Sequence, residues 1–444
     1  MWFNRLSIDT VSRKFLLPAI ASLIAVVLTV SLLELSATLL FPRLLGASFD
    51  RAALQQRFQQ RLASLTQNLT DSDTPQLLYR FHPYVGYVGR PGMRPWHPPY
   101  PPFNDHGMLS VPGHPYPYRR QPGDLVIAVL GGSVAEGFAN LGGEAALQAY
   151  LDEHRPELGR RVVLISLATG GFKQPQQLFH LQTALLSGFQ LDAVINLDGL
   201  NELVAVKNNL DRGIHPVYPS SVHTGLMAEA YQGSDMDAQT AERIATSYRL
   251  RRREQQLLEL TSASPLRYSR FANLLAGVWS QRTQNRLELL LAEATDAAQN
   301  AMARDFQGPD FPSPDDPYRH AAELWADSSR LIQAVADAFD LAYLHVLQPN
   351  QYVQDSKPMG PEERKIAYQP DSEIATIVRA GYHHLQALGA ELRKQGIAFH
   401  DLTRVFAEHP EPLYLDACCH FVNEGNGILA RAVGEHLLVL LEKP

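Results

Sequence analysis

The sequence predicts an α/β fold built on a five-stranded parallel sheet, with a helical insertion and one N-terminal transmembrane helix. Short apolar runs alternate with helical segments along the chain, a pattern that predicts buried parallel strands joined by right-handed crossovers. A long uncharged segment near the N-terminus predicts the membrane helix. The 444 residues, of which 45% are hydrophobic and 19% charged, suffice for a large core and are too apolar for disorder.

The uncharged N-terminal segment is the first element. Phe15–Leu33 contains no charged residue and is long enough to cross a bilayer. The basic residues Arg5, Arg13 and Lys14 precede it, so the positive-inside rule places the tail at 1–14 in the cytoplasm. We therefore predict an uncleaved signal anchor at 15–41 in the inner, cytoplasmic membrane, with the rest of the chain in the periplasm or outside the cell. A cleaved signal peptide is the alternative.

Residues 42–122 connect the anchor to the sheet. Ala53–Leu69 has apolar residues at helical spacing and predicts a membrane-proximal helix. Arg80–Gly123 is rich in proline, glycine, tyrosine and histidine, a composition that excludes long helices and central strands. A disordered linker is one interpretation of this segment. The interleaved aromatic residues favour the other, an extended wrap on the surface of the domain.

Three strand–helix units follow the proline-rich segment. The predicted strands are Leu125–Leu130, Val162–Leu167 and Ala193–Leu197. Helices near Glu144–His154 and Pro175–Ser187 connect them. These units form the first part of the predicted catalytic domain, residues 123–207.

The rhythm of strand and helix is interrupted at residues 208–340, which are charged and helical and predict an insertion or cap. The domain resumes at 341–444. Its predicted elements are a helix Tyr318–Phe339 leading into it, strands Ala342–Leu347 and Ile397–Asp401, and helices Ser372–Gln395 and Gly427–Leu441.

Charge and cysteine content exclude several classes of function. A net charge of −7 without a long basic run argues against nucleic acid as a partner. Cys418 and Cys419 are adjacent and are the only cysteines, so no disulfide framework supports the fold. Three consecutive side chains at Cys418–His420 do not converge easily on one ion, and we predict no metal and no cofactor.

Three residues that suit acyl transfer follow three successive strands. Ser133, Gly171 and Asn201 each come just after the end of a predicted strand. Ligands bind at the carboxyl ends of parallel strands, so we expect these residues to lie together. Ser133 is the candidate nucleophile. The backbone amides of Ser133 and Gly171 and the carboxamide of Asn201 are candidate donors to an oxyanion.

A serine nucleophile also needs a base. His420 lies in the last loop of the chain, with Asp416 four residues before it and suited to orient the imidazole ring. Gly132, Gln348 and Asn350 are candidates for lining the pocket, since they adjoin the nucleophile or follow the fourth strand. A plain turn is an equal alternative for the last two.

The chain resembles the SGNH hydrolases of the GDSL lipase and esterase superfamily. Its four blocks occur in order, as Gly131–Ser133, Gly171, Gly199–Asn201 and Asp416–His420. The resemblance implies a flavodoxin-like three-layer α/β/α sandwich. It also implies Ser133 as nucleophile, Gly171 and Asn201 as oxyanion donors, His420 as base and Asp416 as its orienting partner.

Two features depart from the family pattern. The first block is Gly-Gly-Ser instead of Gly-Asp-Ser, a variant that also occurs among membrane-anchored bacterial relatives. Three residues separate Asp416 from His420 where the family usually has two. His420 held by a backbone carbonyl, in a dyad with Ser133, is therefore the alternative to a triad.

The expected function is hydrolysis of an ester outside the cytoplasm, on an acylated envelope glycan or lipid, through an acyl-serine intermediate. Transfer of the acyl group to a glycan hydroxyl on the same site is one alternative. A non-catalytic envelope assembly scaffold that keeps the fold is the other. The sequence does not predict an oligomeric state.

Overall fold

The structure is a computed structural model of the chain, and it describes residues 8–68, 78–95, 100–109, 116–224, 238–305 and 316–441. Two compact units are present, one of residues 1–76 and 238–293 and the other of residues 77–237 and 294–444. The start of the predicted cytoplasmic tail, at 1–7, lies outside the described residues.

The described strands are β1 Tyr79–His82, β2 Gly86–Gly89, β3 Asp124–Gly131, β4 Arg161–Ser166, β5 Ala193–Asp198, β6 Ala342–Leu347 and β7 Ala398–Asp401. The described α-helices are α1 Ile8–Leu45, α2 Arg51–Asn68, α3 Ser133–Asn140, α4 Gly143–His154, α5 Gln176–Leu186, α6 Leu200–Asp211, α7 Ala238–Ala263, α8 Arg270–Asp305, α9 Pro317–Ala338, α10 Pro361–Ala367, α11 Glu373–Lys394 and α12 Asn423–Leu441. Short 3₁₀ turns occur at Pro156–Leu158 and Pro265–Tyr268.

The second unit is built on a five-stranded sheet in the order β4-β3-β5-β6-β7. All of its strand pairs are parallel, and the predicted five-stranded parallel sheet is confirmed. Every residue of β3 and β5 is buried, which explains the apolar runs Leu125–Leu130 and Ala193–Ile195 within them. Counted along the chain, the strand order is 2-1-3-4-5, the order of flavodoxin-type doubly wound sheets.

Helices pack on this sheet in two groups. The first group contains α3, α4 and α12, and the second contains α5, α6, α9 and α11. β4 lies on one side of β3 and β5 lies on the other. The two connections therefore run in opposite directions across the sheet, and right-handed crossovers put their helices on opposite faces. The arrangement is compatible with a three-layer sandwich. It also makes the carboxyl end of β3 a topological switch point, where ligands bind in such folds.

The region predicted as one insertion, 208–340, divides between the two units. Residues 238–293 belong to the first unit, whereas α9 belongs to the second. Helix α9 packs on α6, α11 and β6, so it belongs, with α6, to the crossover between β5 and β6. The boundary differs from the predicted one because an amphipathic helix has the same pattern in a crossover and in an insertion.

The first unit is helical, with α1, α2, α7 and much of α8 among its described residues. Its core contains Phe41 of α1, Leu54 and Phe58 of α2 and Leu258 of α7. The buried Glu254 side chain of α7 forms an ion pair with Arg61 of α2 at 2.8 Å. Apolar packing therefore stabilises the unit, and the buried charge of Glu254 is compensated by its ion pair with Arg61.

Helix α1 is longer than the predicted anchor. Within the described residues, Ile20–Leu45 is long and apolar enough to cross a membrane, which is compatible with single-pass anchoring. Towards its C-terminus, Ala37 and Phe41 are buried in the core of the first unit. The Glu34 carboxylate accepts a hydrogen bond from the amide of Arg270 at 2.7 Å. The last turns of α1 therefore pack against protein, unlike the exposed apolar residues before them.

The proline-rich segment is ordered where the structure describes it. Strands β1 and β2 form an antiparallel hairpin in which Tyr79 pairs with Gly89. The hydroxyl of Tyr87 in β2 donates to the carbonyl of Gly170 at 2.9 Å. The hydroxyl of Tyr116 donates to the carbonyl of Ser166 at 2.7 Å. The segment thus packs along the carboxyl end of β4.

Candidate active site

Ser133 lies at the end of β3, where the chain turns directly into α3, a helix that the sequence did not predict. Gly131 has φ +144, and a Cβ there would lie 2.1 Å from the carbonyl oxygen of Leu197. Only glycine fits this position, because the backbones of β3 and β5 approach so closely. Ser133 is the first residue of α3, and the first amides of a helix have no acceptor within it. Its side chain is partly exposed.

The structure brings Ser133, His420 and Asp416 into one hydrogen-bonded relay. Ser133 Oγ lies 2.8 Å from His420 Nε2. The other ring nitrogen, His420 Nδ1, lies 2.6 Å from Asp416 Oδ2. Serine, imidazole and carboxylate therefore follow one another in the arrangement that activates a serine hydroxyl.

A hairpin turn explains how Asp416 reaches His420 across three intervening residues. The amide of Leu415 donates to the carbonyl of His420 at 2.8 Å, which closes the loop. Asp416 Oδ1 accepts hydrogen bonds from the amides of Cys418 at 2.8 Å and Cys419 at 3.2 Å. With Oδ1 fixed by the loop, Oδ2 points at the imidazole ring. The longer spacing thus still gives a carboxylate contact, and the backbone-carbonyl dyad is not what the structure contains.

Asp416 and His420 each stabilise the charged form of the other. Burial opposes the ionised form of Asp416, but the hydrogen bond and charge of His420 and the amides of the loop outweigh it and lower its pKa to about 2. Burial likewise opposes the imidazolium, but Asp416 outweighs it and raises the pKa of His420 above its ordinary value. The carboxylate therefore stays ionised beside the ring and stabilises the cation that proton transfer would form.

The turn of Gly171 and the side chain of Asn201 lie close to Ser133, since a Cβ on Gly170 would lie 4.0 Å from the Cβ of Ser133. Gly171 has φ +79 and lies in the turn that follows β4. Asn201 Nδ2 donates one hydrogen bond to the carbonyl of Phe172 at 2.9 Å, and an amide group has a second N–H. A Cβ on Gly132 would lie 2.1 Å from Asn201 Nδ2, so the second glycine lets this carboxamide approach Ser133.

The other two pocket candidates lie deeper. Gln348 is buried, and its Nε2 is 3.4 Å from the Sγ of Cys419. Asn350 is also buried, and its Oδ1 accepts a hydrogen bond from the amide of Tyr352 at 3.0 Å. Both side chains lie in the protein interior, and Gln348 supports the loop that holds His420.

The two cysteines are free thiols in that loop. Cys419 is buried and has φ +120, a backbone conformation that residues other than glycine rarely adopt. The hydrogen bond from Cys419 and the charge of His420 lower the pKa of Cys418 to about 7, against the effect of burial. Cys418 is only partly buried.

Sequence reasoning missed several residues around the relay. Glu136 lies one turn of α3 after Ser133 and is 3% exposed, and burial raises its pKa to about 8. Its spacing from Ser133 is a signal that would have found it. Tyr87 and His223 adjoin Gly171, since a Cβ there would lie 2.3 Å from the His223 ring and 2.7 Å from the Tyr87 hydroxyl. Nothing in the sequence indicates that these two lie near the site.

A second serine–histidine–aspartate relay lies inside the second unit. Ser329 Oγ is 2.8 Å from His345 Nδ1, and His345 Nε2 is 3.1 Å from Asp198 Oδ1. The indole of Trp325 donates to the same Asp198 oxygen at 2.7 Å. Ser329 and His345 are 0% exposed and Asp198 is 2% exposed, so no substrate reaches this serine. The relay stabilises the interior, and it provides a natural control for Ser133.

Comparison of the chain with protein-family models finds no match, and comparison with curated proteins finds none. What the site can do chemically is therefore inferred from its geometry. A partly exposed serine contacts a histidine that contacts an ionised carboxylate. Backbone and side-chain donors lie beside the serine, and this set can form and stabilise a tetrahedral acyl adduct.

Proposed function

We propose that the chain is a serine ester hydrolase of the SGNH type that works through an acyl-serine intermediate. The observation that carries this proposal is the relay from Ser133 Oγ through His420 to Asp416, at 2.8 and 2.6 Å. Its place at the switch point of a flavodoxin-ordered sheet supports the same conclusion, because ligands bind there.

In the acylation step, Ser133 Oγ attacks the carbonyl carbon of the ester while His420 Nε2 takes the hydroxyl proton. The negative charge develops on the carbonyl oxygen. The amides of Ser133 and Gly171 and the second N–H of Asn201 donate to that oxygen, which stabilises the tetrahedral intermediate. Collapse breaks the bond to the alcohol, and the imidazolium returns its proton to the leaving oxygen.

In the deacylation step, water replaces the alcohol in the same geometry. His420 takes a proton from water as the water oxygen attacks the acyl carbon. When the second tetrahedral intermediate collapses, the bond to Ser133 Oγ breaks, the imidazolium returns its proton to Oγ, and the acid leaves. Asp416 remains ionised throughout, since its pKa is about 2, and it stabilises the imidazolium in each step.

The substrate class follows from where the chain is proposed to work. The N-terminal helix is long and apolar enough to cross a membrane, and the basic residues before it favour a cytoplasmic N-terminus. We place the catalytic unit on the outer side of the cytoplasmic membrane. An acylated glycan or lipid of the cell envelope is the ester within its reach.

Labelling with a fluorophosphonate tests the proposal. The reagent phosphonylates an activated serine, so wild-type protein is expected to be labelled and to hydrolyse a short aryl ester. Ser133→Ala should lose both, with at least about a 10³-fold loss of kcat/KM. Ser329→Ala is the matched control, since it breaks the buried relay and should leave labelling at the wild-type level when the protein is folded.

The outcomes separate the classes of function. Absence of labelling from folded wild-type protein contradicts the proposal and favours a non-catalytic scaffold. Labelling that persists in Ser133→Ala contradicts it as well, because the reactive residue is then not Ser133. Release of free acid in water, measured beside transfer to an added glycan, distinguishes hydrolysis from O-acyl transfer on the same acyl-enzyme.

A further inference from the structure

The turn that carries Gly171 depends on the direction of its central peptide. It spans Thr169–Phe172, and the amide of Phe172 donates to the carbonyl of Thr169 at 2.9 Å. The φ of +79 at Gly171, the third residue of the turn, is the signature of type II. Types I and II differ by a flip of the central peptide, here the one between Gly170 and Gly171. Glycine accepts either sign of φ, so its own preferences do not fix this peptide.

The direction of the central peptide decides whether Gly171 serves the oxyanion. In a trans peptide the carbonyl and the N–H point in opposite directions. Fixing the Gly170 carbonyl therefore fixes the Gly171 N–H. Within the part of the chain that the structure describes, that N–H donates to no acceptor of the protein, as a group reserved for an oxyanion requires.

Tyr87 fixes the Gly170 carbonyl, to which its hydroxyl donates at 2.9 Å. The Tyr87 side chain is 0% exposed. Its ring stacks on that of His223, with centroids 5.2 Å apart and planes 7° apart, and meets the edge of Phe172 at 5.2 Å. Burial keeps the hydroxyl protonated by raising its pKa. The donor is thus held in place on several sides.

We propose that Tyr87, held by its stack with His223, is a positioning residue that locks the Gly170–Gly171 peptide with the Gly171 N–H directed at the oxyanion. The inference rests on the proposed acyl-serine function. It gives the proline-rich segment, which lies outside the region of family resemblance, a part in transition-state stabilisation.

Tyr87→Phe tests this proposal, with Tyr116→Phe as the matched control. Each change removes one hydroxyl that donates to a backbone carbonyl, of Gly170 at 2.9 Å or of Ser166 at 2.7 Å. The free energy of unfolding, measured with denaturant, should fall by a similar amount in both variants. Only Tyr87→Phe should lower kcat, by about 10–100-fold with KM nearly unchanged, because it weakens one of the oxyanion donors. Its rate of phosphonylation at Ser133 should fall by a similar factor.

Equal kcat and equal phosphonylation rates in the two variants would overturn the role of Tyr87, while Ser133-dependent labelling of wild-type protein would leave the hydrolase proposal intact. Absence of that labelling in wild-type protein defeats the hydrolase proposal first. If Tyr87→Phe does not fold, His223→Ala removes the stacking ring and keeps the hydroxyl. It should lower kcat at least 3-fold with KM retained, and an unchanged kcat in the folded variant would also overturn the inference.

Discussion

Replacement of Gly171 by alanine measures how tightly the oxyanion turn is packed. The new Cβ would lie 2.3 Å from His223 Cε1. Carbon atoms in contact lie at least about 3.5 Å apart, so the ring must move by about 1.2 Å. Overpacking of this kind costs about 1–3 kcal/mol. The φ of +79 adds about 1–2 kcal/mol for any residue with a side chain. Gly171→Ala should therefore lower the free energy of unfolding by about 2–5 kcal/mol.

Gly188→Ala is the control for backbone strain. Gly188 has φ +90, and a Cβ there meets nothing within 4 Å, so only the loss of about 1–2 kcal/mol remains. Urea denaturation gives the two stabilities, and ester hydrolysis gives the two kcat values. We expect Gly188→Ala to keep wild-type kcat and Gly171→Ala to lose about 10²–10³-fold, as when one oxyanion donor is lost. Equal kcat in both folded variants would refute the assignment of Gly171 to the oxyanion hole.

Three further predictions concern the pairing of His420 with Asp416. Asp416→Ala should lower kcat about 10³–10⁴-fold. Asp371→Ala removes an exposed carboxylate and should leave kcat unchanged. A kcat near the wild-type value in Asp416→Ala would mean that a dyad of Ser133 and His420 suffices. The base must be neutral and its pKa is raised, so kcat/KM should rise with pH around a midpoint above 6.5, and Asp416→Ala should move that midpoint down. A midpoint of the wild-type kcat/KM profile below 6.5 would count against the pairing. The raised pKa of His420 also contributes to the free energy of unfolding, and this contribution is complete below pH 6.5 and is lost as the pH rises through the raised pKa.

Much of the sheet and the relay could be predicted from the sequence because both leave local patterns. The apolar run before Ser133 and the two glycines predict a buried strand and a sharp turn, and β3 ends there as expected. His420 and Asp416 are close in sequence, so their contact depends on one loop. The meeting of Ser133 with His420 spans 287 positions, and only the order of strands and motifs indicates it.

Tyr87 and His223 could not be predicted, for a physical reason. Tyr87 reaches the Gly170 carbonyl across 83 positions, from a segment whose prolines and aromatic residues have no helical or strand period. His223 comes from the region interpreted as an insertion. Contacts of this kind depend on how irregular segments lie on the sheet, and local sequence does not encode that path.

The adjacent thiols of the last loop make the site open to direct observation. The chain has two cysteines, and of these Cys419 is buried while Cys418 is partly exposed with a pKa of about 7. Thiolates are the reactive form of cysteine, so an alkylating fluorophore attaches preferentially at Cys418 in the reduced protein. A dye at that position is two residues from the proposed base. It would report occupancy of the site by its emission, in natural protein and without an engineered label position.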